Sequence, residues 1–74
     1  MGYRTRINLV TLSDVKNFVK AVTAIDEDVT LIDSVKHCVS GKSLMGAIYT
    51  LEWEEVYCIC SKDISAQILP WIVQ

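Results

Sequence analysis

From Tyr3 to Val10 the chain alternates, with Tyr3, Thr5, Ile7 and Leu9 on one side and Arg4, Arg6 and Asn8 on the other. An apolar-polar period of two predicts a half-buried strand with one solvated face. Thr11 then opens TLSDVKNFVKAVTAI, where Val15, Phe18, Val19, Val22 and Ile25 recur at helical spacing and Lys16, Asn17, Lys20 and Thr23 fall outside. Thr11 and Asp14 fit the [ST]-x-x-[DE] box, in which each side chain satisfies a backbone N–H of the other. Ser13 is a competing cap two residues later.

After the acidic turn of Asp26, Glu27 and Asp28, VTLID carries the β-branched and apolar residues of a strand. VKHCVS alternates again, and Asp33 with Ser34 can turn the chain between the two. A short helix is expected from Leu44 to Thr50 with Ser43 as its N-cap. Gly46 weakens it by roughly 1 kcal/mol against alanine, so tertiary contacts must support it. EVYCICS reads as the fourth strand, with Val56, Cys58 and Cys60 facing one way and Tyr57 and Ile59 the other. A last helix is expected to begin at Ser61 or Lys62, run through Ile64 and Ile68, and stop or kink before Pro70. No repeat or linker interrupts the order β-α-β-β-α-β-α, which predicts one α+β domain over residues 1–74, a four-stranded sheet with helices on one face.

Composition narrows what such a domain does. A chain of 74 residues buries only about 60% of its unfolded surface, and 51% apolar residues suit a folded chain rather than a disordered one. Nine acidic residues against seven basic ones leave no basic footprint, which argues against nucleic acid as a partner. No apolar run approaches the ~20 residues of a membrane span, and MGYRTRINLV has no signal-peptide core. A cytoplasmic location follows as the expectation, with Cys38, Cys58 and Cys60 as free thiols.

Ser40 to Leu51 reads SGKSLMGAIYTL, and GKS invites comparison with the phosphate-gripping P-loop. That loop needs G-x-x-x-x-G-K-[ST], and counting back from Gly41 the first glycine's place holds Lys36. The nucleotide reading ends there.

The order of elements and the segment GKSLMGAI together resemble HPr, the histidine-containing phosphocarrier of the bacterial sugar phosphotransferase system. KSLMG, Lys42 to Gly46, is similar to that family's regulatory-serine motif, and FVK at Phe18 to Lys20 and DVTL at Asp28 to Leu31 match at nearly the family's spacing. The resemblance implies an open-faced β-sandwich with a four-stranded antiparallel sheet, a regulatory phosphorylation at Ser43, and an apolar docking patch at Leu44, Met45 and Ile48. The phosphocarrier histidine should lie in an H-x-R-P type motif at the start of the first helix. This chain has Thr11, Leu12, Ser13 and Asp14 there, a degenerate site without histidine, arginine or proline. Phosphorelay needs an imidazole nitrogen that takes and returns a phosphoryl group with little free-energy change, and a threonine ester does not. The chain is thereby similar to the histidine-less catabolite-repression HPr-like branch, whose partners are an HPr serine kinase and a transcription regulator.

Each feature also has a plainer explanation. Serine is a favoured N-cap, contributing about 1 kcal/mol without any phosphate. Leu44 and Met45 are adjacent and cannot both point fully inward, so at least one should be exposed. A thiol or metal site of Cys38, Cys58 and Cys60 is the alternative, although C-x-C on a strand chelates poorly and His37 and Cys38 alternate in direction. His37 alone supplies no nucleophile-base pair, because adjacency in sequence gives no orienting acid. The sequence thus points to a non-enzymatic regulatory or interaction module with no metal or cofactor, or to a degenerate domain with a structural role.

Overall fold

Apolar alternation and helical spacing become two layers in the computed structural model, which describes residues 2–35 and 37–73. Among these residues four strands, β1 (Tyr3–Ile7), β2 (Val29–Ile32), β3 (Cys38–Ser40) and β4 (Val56–Cys60), form one antiparallel sheet in the order β1-β4-β2-β3. Three helices complete the α+β domain: α1 (Leu12–Thr23), α2 (Leu44–Ile48) and α3 (Ser65–Ile68). A 3-10 turn over Tyr49–Glu52 continues α2, and another over Leu69–Trp71 continues α3.

Register decides which residues meet. Thr5 lies opposite Cys58, Cys58 opposite Leu31, and Leu31 opposite Val39, so one row crosses all the strands on a single face. That face, with Ile7, Val56, Cys58, Cys60, Val29 and Leu31, is buried under Val15, Phe18 and Val22 of α1, Ala47 of α2 and Ile68 of α3. Fully burying side chains such as Phe18 and Leu31 contributes about 1.5–3 kcal/mol each. The opposite face carries Arg4, Arg6, Tyr57, Ile59, Thr30 and Ile32, none of them buried. There the Arg4 guanidinium lies 4.2 Å from the centre of the Tyr57 ring, the Tyr57 hydroxyl donates to Glu55 at 3.1 Å, and Arg6 pairs with Glu55 at 3.8 Å.

Local chemistry fixes the ends of the elements. At the head of α1 the Thr11 hydroxyl accepts from the Asp14 amide at 3.1 Å, and the Asp14 carboxylate accepts from the amides of Thr11 and Val10, completing the predicted capping box. Gly41 donates its amide to the Val29 carbonyl at 2.7 Å, so close that a methyl group built there would sit 2.7 Å from the Val29 Cγ1. The Lys42 ammonium reaches back to the Ile25 carbonyl just beyond α1, tying the β3-α2 loop to that helix.

Several boundaries differ from the sequence expectation. β1 ends at Ile7 rather than Val10, because the Asn8 amide donates to the Trp71 carbonyl and leaves the sheet. α3 begins at Ser65 rather than at Ser61 or Lys62, because the Asp63 carboxylate accepts from both the amide and the hydroxyl of Ser65 and holds the preceding residues in a turn. α2 stops at Ile48 and tightens into its 3-10 turn before Thr50. The strand expected over Val35 to Ser40 is only Cys38–Ser40, with Val35 in the turn; Lys36 lies outside the described residues. The C-terminal residues have a definite role: Trp71 meets Phe18 edge to face at 5.4 Å, Ile72 bridges to Ile7, and the Val73 amide donates to the Arg6 carbonyl. No helix among the described residues is long and apolar enough to cross a membrane.

Candidate functional site

Small residues on its inner side bring α2 close to the sheet. Ala47 and Thr50 are buried, the Thr50 hydroxyl donates to the Ala47 carbonyl at 2.6 Å, and a methyl at Gly46 would lie 3.3 Å from the Val39 Cβ. Glycine at position 46 therefore offsets its poor helix propensity by letting the helix approach β3. The outer side keeps the larger residues in solvent: Leu44, Met45, Ile48 and Tyr49 are all exposed, Met45 at 75%. Leu44 with Ile48, Met45 with Ile48 and Met45 with Tyr49 stand three or four positions apart, the spacings at which side chains on a helix are neighbours, so the four form one apolar patch.

Ser43 stands at the head of that patch as the N-cap, its hydroxyl accepting from the Gly46 amide at 3.1 Å. The nearest lysine in sequence, Lys42, has its ammonium turned away to the Ile25 carbonyl. At the start of α1, Thr11, Ser13 and Leu12 are exposed, and the Val10 and Thr11 amides just before the helix donate to the chain's own Asp14 carboxylate. Those hydrogen bonds from the Val10 and Thr11 amides hold the Asp14 carboxyl below its usual pKa of 3.8.

The cysteines do not come together. Cys58 and Cys60 are in the core beneath the helices, and burial, helped by the neighbouring Cys60, pushes the Cys58 thiol up to about 12. Cys38 is exposed on β3, on the opposite face from Val39 and so from the other two thiols. No three metal-binding side chains are grouped among the described residues.

A second feature, between the β2-β3 turn and the 3-10 turn after α2, escaped the sequence reading. The carboxylate of Asp33, nearly buried, accepts from the Val35 and His37 amides at 3.0 and 2.8 Å, and its other oxygen lies 2.7 Å from the His37 Nδ1. Burial pulls this carboxyl up, but the hydrogen bonds from the His37 ring and the two amides outweigh it and leave the pKa below 3.8. An ionised carboxylate only accepts, so Nδ1 carries the proton and Nε2 is turned away from Asp33. The His37 ring stacks with Trp53, centroids 6.1 Å apart and planes 29° from parallel. Both line an open groove of about 470 Å³ that Tyr49 and Glu52 complete.

The orienting acid that adjacency did not reveal is therefore Asp33, four residues before the histidine. The Asp-x-x-x-His spacing across a turn was the available signal for that pair, and Tyr49, Glu52 and Trp53, at positions i, i+3 and i+4, were the signal for the opposite wall. Neither says that the two walls meet. No family model, no curated protein and no solved structure matches this chain.

Proposed function

We propose that this chain is a non-catalytic, HPr-like regulatory or interaction module whose α2 patch docks protein partners and whose Ser43 accepts a regulatory phosphate. The patch carries the reading: Leu44, Met45, Ile48 and Tyr49 remain in water although the helix is short and its inner side is buried. An apolar cluster kept at the surface of a small domain costs solubility, and flexible methionine suits surfaces that meet more than one partner. KSLMG supplies the resemblance, and the Ser43 hydroxyl, exposed at a helix start, is accessible to a kinase.

The missing phosphocarrier function follows the same chemistry. At the family's histidine position the side chain is Thr11, engaged in the capping box, and Asp14 supplies negative charge where a phosphoryl group would have to approach. Partners by resemblance are an HPr serine kinase and a transcription regulator.

Incubation with an HPr serine kinase and ATP, followed by intact mass, tests the serine. One added phosphate that disappears in Ser43→Ala is expected; no phosphate, or a phosphate unaffected by that change, removes the claim. Docking is tested separately with Met45→Asp, which should leave stability within about 0.5 kcal/mol and abolish pull-down of the serine-dependent partner.

A further inference from the structure

The groove beside α2 has a composition that the docking reading uses only at Tyr49. Trp53 and His37 present two aromatic rings 29° from parallel, and the hydrogen bond from Nδ1 to the near-buried Asp33 fixes how the histidine ring stands. Tyr49, exposed, adds a third ring, and Glu52, also exposed, adds a carboxylate to the lining. Among the described residues no cation pairs with Glu52, and Glu54 adds a second exposed carboxylate one residue beyond Trp53's wall.

Aromatic faces carry negative charge at their centres and attract cations laid over them. A carboxylate at the edge of such a wall selects a cation that can donate hydrogen bonds in the plane of its own charge. The guanidinium does both: it stacks flat on an aromatic ring and gives two parallel N–H donors to a carboxylate. A lysine ammonium, compact and strongly hydrated, uses the wall less well.

We propose that the groove formed by His37, Tyr49, Glu52 and Trp53 is a binding site for an arginine side chain presented by a partner polypeptide. The guanidinium lies on the exposed Tyr49 ring beside the His37–Trp53 stack and pairs with Glu52, while Asp33 acts at one remove by holding His37 against Trp53. A polypeptide is favoured over a free small molecule because the groove is open: four of its residues, His37, Cys38, Tyr49 and Glu52, are exposed, whereas small-molecule pockets enclose most of their ligand.

The site shares Tyr49 with the α2 patch, but Met45 lies outside the groove and Glu52 outside the patch, so Met45→Asp and Glu52→Gln separate the two readings. The test titrates the isotopically labelled protein with the tripeptide Gly-Arg-Gly, its lysine and citrulline counterparts, and free arginine, following side-chain resonances of Trp53, Tyr49 and His37. Saturable shifts of those three with Gly-Arg-Gly are expected, at least about tenfold weaker with citrulline, which lacks the charge. Glu52→Gln should weaken Gly-Arg-Gly about fivefold while Met45→Asp leaves it unchanged. Equal binding of citrulline, tighter binding of free arginine than of the peptide, shifts confined to residues outside the groove, or insensitivity to Glu52→Gln would each overturn the proposal.

Discussion

Removing the Thr11 hydroxyl takes the acceptor from the Asp14 amide at the head of α1, and Thr11→Ala should cost about 1 kcal/mol in urea denaturation. Asp33→Ala should cost more, because it strips acceptors from two backbone amides and from the His37 ring in a site nearly closed to water. Asp33→Asn, which keeps the size, should recover part of that loss; equal damage from Thr11→Ala and Asp33→Ala would show that the turn contributes no more than an exposed cap. At this scale the sequence was readable where the chemistry is local. Thr11 with Asp14, and Ser43 as a cap, could be named from spacing alone. Asp33 could be named only as a turn residue, because neither its burial nor the Trp53 ring that stacks on its partner His37 can be read from local spacing. The adjacency of Leu44 and Met45 required at least one of them to be exposed but did not say which; both are.

Among the elements, α1 was the most legible, since Val15, Phe18, Val22 and Ile25 at helical spacing are all buried and Val19 lies partly so. Strand faces were legible for the same reason, with Val56, Cys58 and Cys60 turned to the core. Strand neighbours were not, because alternation fixes a face and says nothing of order. The start of α3 was missed because Asp63 competes for the Ser65 amide, a local contest that hydrophobic spacing does not report. Leu31, fully buried on the central strand β2, tests the sheet: Leu31→Ala should cost about 2–5 kcal/mol. For a domain of this size that is a fall in Tm of at least about 8 °C. Gly41→Ala tests the fit between the β3-α2 loop and β2, since the added methyl meets Val29 Cγ1 and the Val29 carbonyl oxygen at 2.7 and 3.2 Å. It should destabilise by about 1–3 kcal/mol, and a neutral result would mean that the loop moves off Val29 freely.

Across the whole molecule the carboxyl groups set the response to acid. Asp14, Asp33 and Asp63 are all held below their usual 3.8 and Glu27 below 4.5, by amide hydrogen bonds at Asp14, by hydrogen bonds that overcome burial at Asp33, by Ser65 at Asp63 and by Lys62 at Glu27. Each binds its proton more weakly folded than unfolded, so each contributes stability that is fully present above those usual values and is lost as pH falls through the folded ones. Thermal melts should therefore change little from pH 7 to pH 5 and fall steeply below about pH 4, and Asp33→Asn should make that fall shallower. A melt as steep in Asp33→Asn as in the parent chain would remove Asp33 from the account. The strand order has a consequence of another kind, for biosynthesis. β1 is made before the other strands, yet among the described residues its strand partner in the sheet is β4, which leaves the ribosome after β2, β3 and α2, and the bridge to Ile72 comes later still. The β2-β3 pair and α1 can assemble from neighbouring sequence, while β1 waits as an unpaired strand. Arg4 and Arg6 alternate along it, and charges placed so on an unpaired strand oppose pairing with another copy.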